Sequence, residues 1–229
     1  MAKKSAADSV MDAGGLSGEH VEMQSDEATQ VLAAVYGIEG ELSRLPSEKD
    51  DTFKVVVDGK PTVVIKIANP HDPDDELDLQ IKLMQHVGQA DPSIPIPHVL
   101  TSIDGEVLTT IVDKAGQTRK VWAISFLPGA VLDTFDTDAH EREMIGRVLG
   151  KIRLATQGFD HPKADRMVAW DVAHIDKVGV LIEFINDPHE KALVQGVLDR
   201  MADLKPRVDA LRRQVLHNDF SRSNILGDR

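Results

Sequence analysis

A chain of 229 residues, 41% hydrophobic and 28% charged, is long enough for one large domain or two small lobes around a sizeable core. Its formal net charge of −12, from 26 Lys+Arg against 38 Asp+Glu, argues against nucleic acid as the main partner, because a phosphate backbone needs a basic face. The absence of cysteine excludes a disulfide framework, a thiolate metal site and a cysteine nucleophile. Lys3 and Lys4 precede no apolar stretch, and no apolar run reaches membrane-spanning length, so the expectation is a cytoplasmic protein without a signal or membrane segment.

Residues 1–24 are rich in Ala, Ser, Gly and Asp without apolar period and read as a flexible tail. Ser25 is placed to cap a short helix carrying Val31, Leu32 and Val35, with Gly37 to close it. Residues 53–57 are β-branched and run into Asp58-Gly59. Both residues tolerate the positive φ of a type I′ turn, so the spacing predicts a hairpin that returns over residues 62–67. The loop Asn69-Pro70-His71-Asp72-Pro73 cannot be helical. Leu77, Ile81, Met84 and Val87 then recur at helical spacing. After Pro92, Pro95 and Pro97, residues 107–111 and 121–126 read as strands joined through the turn Lys114-Ala115-Gly116-Gln117. Residues 138–156 form an amphipathic helix with Met144, Ile145, Val148, Leu149 and Ile152, and helical stretches cover residues 175–186 and 189–214. Strands first and helices later predict an α+β plan of two lobes, with a boundary near Leu127-Pro128-Gly129.

The segment Val215-Leu216-His217-Asn218-Asp219-Phe220-Ser221-Arg222-Ser223-Asn224-Ile225-Leu226 carries the chemistry. Apolar pairs flank a polar loop, so two buried strand ends are expected to hold it. His217, Asp219 and Asn224 stand at relative positions 1, 3 and 8, the spacing of a protein-kinase catalytic loop. There the Asp accepts the proton of the substrate hydroxyl and the Asn holds a metal ion. Lys66, inside the apolar strand Val-Val-Ile-Lys-Ile, is costly unless paired or turned to water from an edge strand.

This loop resembles that of the aminoglycoside phosphotransferase and choline kinase-like superfamily. It is most similar to the hydroxylysine kinase group, which has His-Asn-Asp where many relatives have His-Gly-Asp. The resemblance extends over residues 30–229. Residues 62–67 look like the strand of the phosphate-binding lysine, and Phe126-Leu127-Pro128-Gly129 looks like the hinge between lobes. Leu45-Pro46-Ser47-Glu48-Lys49-Asp50-Asp51-Thr52 is similar to the family's "L-x-S-E-x-D-N" turn, and Gly158-Phe159-Asp160-His161-Pro162 with Arg166 and Trp170-Asp171 is also like that group.

The resemblance implies a protein-kinase-like fold with a nucleotide-binding N-lobe over residues 25–127 and a helical C-lobe over 128–229. It implies Asp219 as catalytic base, His217 as a structural residue of the loop and Asn224 as metal ligand. Lys66 would meet phosphate, paired with Glu76, or with Glu48, Asp74, Asp75, Asp78 or Gln80. Ser47 would touch phosphate, and the backbone of Ser125 and Leu127 would meet the base. Asp171, Glu183 and Asp187 are candidates for a substrate ammonium. The implied reaction transfers the γ-phosphate of GTP or ATP, with Mg2+, to a small amine-bearing hydroxyl substrate such as 5-hydroxylysine. Aminoglycoside, choline or homoserine are alternative acceptors. The family's second metal ligand, an Asp in an "Ile-Asp-Phe-Gly"-like strand, has no counterpart, since Asp228 stands four residues past Asn224. The C-lobe is therefore expected to be incomplete, a C-terminal truncation relative to the family, and a catalytically impaired remnant is the alternative.

Overall fold

Alternating apolar side chains build the first half of the structure, a computed structural model that describes residues 18–168 and 171–228. Strands β1 (Glu41–Leu45), β2 (Asp51–Val57), β3 (Lys60–Ile67), β4 (Thr109–Val112) and β5 (Thr118–Ser125) form one antiparallel sheet in the order β1-β2-β3-β5-β4. Phe53, Ile65 and Ala123 pair across three neighbouring strands and are fully buried. With Val55, Val63, Ile67 and Val121 they pack on Ala28, Leu32, Val35 and Tyr36 of helix α1 (Ser25–Tyr36). Thr52, Lys66 and Trp122 form the next cross-strand row and so share the opposite face. Lys66 thus lies in the central strand and not at an edge.

The hairpin between β2 and β3 turns at Asp58 (φ 49°) and Gly59 (φ 74°), as a type I′ turn requires. β1 is a strand that the sequence does not announce, because Glu41, Ser43 and Arg44 leave it exposed at the sheet edge. Helix α2 (Asp74–Ala90) starts behind Pro73 with three acidic residues in its first turn, where the helix dipole favours them. After the two-residue strand β6 (Ala130–Val131), helix α3 (Ala139–Ala155) opens on a capping box between Asp138 and Glu141. Val87 and Ile94 meet Ile152 and Ala155 of α3 in a second apolar cluster.

The chain divides into two compact units, one of residues 20–164 with 214–229 and another that includes residues 165–213. The second contains a 3-10 turn (Val172–His174), the short helix α4 (Ile175–Val178), a further 3-10 turn (Gly179–Phe184) and helix α5 (Pro188–Asp209). The helix expected over 175–186 is therefore mostly 3-10, and α5 ends at Asp209 rather than near 214.

Residues 1–17 of the expected tail, and Trp170 of the family-like segment, lie outside the described residues. Residues 20–24 are not loose: Met23 is 2% exposed, and Val21 exchanges two hydrogen bonds with the Gln117 side chain, at 3.2 and 3.0 Å. The cause is a buried charge. The Arg119 guanidinium donates to Asp51 at 2.8 Å, to Asp113 at 3.4 Å and to the carbonyls of Ala68, Ile67 and Val21 at 2.6, 3.2 and 3.4 Å. Asp51 in turn accepts from Arg44 at 2.6 Å and from Met23 N at 3.1 Å. A buried ion needs all its donors or acceptors satisfied, and the segment at 20–24 supplies part of that set.

Candidate active site

The loop 217–224 closes on itself. Asn218 takes the left-handed conformation (φ 58°) that asparagine tolerates better than most residues. Asp219 N donates to His217 Nδ1 at 3.3 Å, so the histidine supports the loop from within. Asn224 Nδ2 donates to Asp219 Oδ2 at 2.7 Å and to Asp219 O at 3.0 Å. Residues five apart in sequence thus bring a carboxylate and an amide into one small volume, both exposed to solvent. Because the amide nitrogen is turned to Asp219, the amide oxygen of Asn224 is the atom left to hold a cation. Among the described residues, no group of three or more His, Asp or Glu forms a metal cage. A single amide oxygen is a donor of the kind that hard cations accept beside phosphate oxygens and water.

The loop is anchored differently from expectation. Leu216 and Leu226 are 52% and 40% exposed, so the flanking apolar pairs are not two buried strand ends. Instead strand β7 (Leu226–Gly227) pairs with β6, and Leu132 N donates to Ile225 O at 3.0 Å. Arg222 reaches across to Leu132 O at 2.7 Å and to Phe135 O, and lies 3.4 Å from Asp133. Phe220 packs against the cluster of Val87, Ile94, Ile152 and Ala155 and meets the His217 ring edge-on at 5.5 Å. These contacts tie the loop to α2, to α3 and to the segment after Gly129.

Gly129 itself has φ +127°, and a Cβ there would stand 3.1 Å from both Gly227 O and Leu226 Cβ. Gly129→Ala is expected to cost about 1–3 kcal/mol through backbone strain and to disrupt β6–β7 pairing. A thermal unfolding curve with unchanged midpoint would show that the close approach is not needed.

On the sheet, Lys66 pairs with Asp50 at 3.1 Å, and its Nζ lies 5.0 Å from the centroid of the Trp122 ring. Asp50 is a partner that the sequence reading, which put Glu76 first, did not include. Asp74 pairs with Lys120 at 2.8 Å, Asp75 with Lys163 at 3.2 Å, and Asp78 with Lys82 at 2.7 Å and His161 at 3.0 Å. The signal that points to Asp50 is register: residue 50 lies two before Thr52, the cross-strand partner of Lys66, and so shares its face. Ser47 sits exposed in the loop between β1 and β2. Ser125 N donates to His98 O at 2.8 Å and Phe126 N to Thr62 O at 2.9 Å, and Leu127 takes part in neither bond.

A model of the APH phosphotransferase enzyme family matches residues 41–229. The chain belongs to that family. Its fold is that of protein-kinase-like phosphotransferases, a mixed α+β arrangement of an antiparallel sheet and helices. It is similar to a microcompartment-associated aminopropanol kinase (20% identity, TM-score 0.67, covering 90% of this chain and 65% of that one). It is also similar to an amicoumacin kinase in complex with AMP-PNP, Ca2+ and Ami (15% identity, TM-score 0.61, 83% of this chain and 55% of that one). A spectinomycin phosphotransferase with ADP and spectinomycin is a further likeness (17% identity, TM-score 0.51, 90% of this chain and 66% of that one). The chain spans between about half and two thirds of those proteins. No curated protein matches it.

The carboxylates expected to meet a substrate ammonium lie in the unit with residues 165–213. Asp171 caps the turn at 172–174 through Ala173 N at 2.9 Å, and Asp187 caps α5 through His189 N at 2.8 Å and Glu190 N at 3.0 Å. Both therefore have a local structural duty. Glu183 is exposed on the 3-10 turn at 179–184. Among the described residues of the chain, no helix is long and apolar enough to cross a membrane.

Proposed function

We infer that this chain is the nucleotide-binding and catalytic-loop part of a small-molecule kinase that transfers the γ-phosphate of ATP or GTP to a hydroxyl of an amino alcohol or hydroxy-amino acid. The observation that carries the reading is the 2.7 Å contact between Asn224 and Asp219 within the family's loop. Asp219 accepts the hydroxyl proton as the hydroxyl oxygen bonds to the γ-phosphorus and the bond from that phosphorus to the β,γ-bridging oxygen breaks, releasing the nucleoside diphosphate; Asn224 would hold Mg2+, which would neutralise phosphate charge. His217 keeps the loop in shape. Lys66 meets the phosphates, Ser47 and nearby main-chain N–H groups cover them, and the backbone of Ser125 and Leu127 receives the base. In this reading residues 25–127 are the nucleotide lobe and 128–229 belong to the catalytic lobe. The amine of the acceptor is met by an acidic side chain, with Glu183 less committed locally than Asp171 or Asp187. 5-Hydroxylysine is the first acceptor to try, because of the His-Asn-Asp loop, and the likeness to an aminopropanol kinase adds 1-amino-2-propanol. A kinase working on such metabolites acts in the cytoplasm, where its nucleotide is made.

The test is release of ADP or GDP by the 229-residue chain with Mg2+, with 5-hydroxylysine, 1-amino-2-propanol, choline, homoserine or an aminoglycoside as acceptor. Acceptor-dependent turnover supports the reading. Nucleotide binding without transfer to any acceptor supports a catalytically impaired remnant, and no nucleotide binding by the folded chain removes the kinase reading.

A further inference from the structure

We propose that Asp50, on the sheet's own leading loop, is the positioning residue for Lys66. The proposal rests on Lys66 being the phosphate lysine. In β2 and β3 the cross-strand partner of Lys66 is Thr52, so residue 50 is its diagonal neighbour on the same face, within reach of a long side chain. The two side chains are 23% and 12% exposed and meet at 3.1 Å. Asp50 is itself held, since it accepts from Asn69 N at 3.4 Å, where the chain leaves β3. The ammonium is thus fixed between a carboxylate from β2's leading loop and the Trp122 ring of β5, 5.0 Å away. Both belong to the same sheet as the lysine.

Asp74, Asp75 and Asp78 of α2 are engaged elsewhere, at Lys120, Lys163, Lys82 and His161. A lysine whose partner rides on a helix loses its orientation when the helix shifts. Here the pair depends on strand register alone, and so the phosphate-binding cation stays aimed whatever α2 does. One ammonium has three donors, so an ion pair with Asp50 still leaves hydrogens for a phosphate oxygen.

The experiment is calorimetric binding of Mg-ATP and Mg-GTP to the 229-residue chain, beside Asp50→Asn, Asp50→Glu, Lys66→Met and Glu76→Gln, with a melting temperature for each. Asp50→Asn keeps an acceptor for Asn69 N but removes the charge. It is expected to weaken nucleotide binding about tenfold, the worth of one charge-assisted hydrogen bond, with Lys66→Met weaker still. Asp50→Glu should recover most of the loss and Glu76→Gln should change affinity by less than about twofold. A structural role for Asp50 would lower the melting temperature without that rescue. If Lys66→Met weakens binding while Asp50→Asn leaves it unchanged or tightens it, Asp50 is a competitor of phosphate or a bystander, and the proposal falls while the donor-site reading stands. A loss at Glu76→Gln equal to that at Lys66→Met returns the role to the helix and also overturns it. If Lys66→Met binds like the natural chain, or the natural chain binds neither nucleotide, the donor-site reading falls and takes this proposal with it.

Discussion

Asp219→Asn is expected to lower phosphoryl transfer by about 10²- to 10⁴-fold, the range over which a positioned general base acts. The amide cannot take the proton of the attacking hydroxyl, but its oxygen can still accept from Asn224 Nδ2, so the loop keeps its closing contact. The residue is exposed, and no buried partner is lost with it. The melting temperature and the nucleotide affinity should therefore stay close to those of the natural chain, which separates loss of the base from loss of the site. Turnover per bound nucleotide, measured with the best acceptor, is the deciding quantity. A decrease smaller than about tenfold would remove Asp219 from the role of base.

Arg119→Met is expected to destabilise the unit of residues 20–164 and 214–229 by about 3–5 kcal/mol, because it strands the carboxylates of Asp51 and Asp113 in the interior. Both side chains are almost fully buried, at 1% and 3% exposure. Acid response should change as well. Burial alone would raise the pKa of Asp51, but hydrogen bonds from Arg44, Met23 N and Arg119 outweigh it and hold the group below its ordinary 3.8. Asp113 is likewise raised by burial and brought lower by Gln117 and Arg119. A carboxylate with a depressed folded pKa stabilises the fold above its unfolded value, and that contribution is lost as pH falls through the folded value. The natural chain should thus hold its stability down to about pH 4 and lose it below. Without Arg119 the raising effect of burial gains weight, and the loss begins at a higher pH. Urea unfolding at several pH values reads both effects. A stability change under about 1 kcal/mol, or superimposable pH profiles, would mean that the network is not a mainstay of the fold.

Much of the sheet was legible because its signals are local. Period-2 alternation marks β2, β3 and β5, and Asp58-Gly59 carries the positive φ of its own turn. β1 was not legible, since an exposed edge strand buries too little to leave an alternating pattern. The segment at 20–24 read as a tail because its partners are distant in sequence: its main chain meets Arg44, Asp51 and Gln117, His20 meets Asp51 and Asn69, and Met23 enters the core. In the catalytic loop the spacing of His217, Asp219 and Asn224 was visible, and their mutual contacts follow from it. The apolar pairs beside the loop misled. Leu216 and Leu226 look like buried strand ends, yet Phe220 and Arg222 inside the loop are its anchors.

The sequence by itself determined the hairpin of β2 and β3, the helices at 74–90 and 139–155, and which loop holds the carboxylate and the amide, because those features depend on residues a few positions apart. The tertiary structure decided the ionic partners. Arg119 and Asp51 are 68 residues apart and meet only because β3 lies between their strands. Lys66 meets Asp50 because β2 and β3 pair in the register that sets Thr52 opposite Lys66. A charge has no periodicity of its own, so its partner is set by strand register and by which face of the sheet it shares.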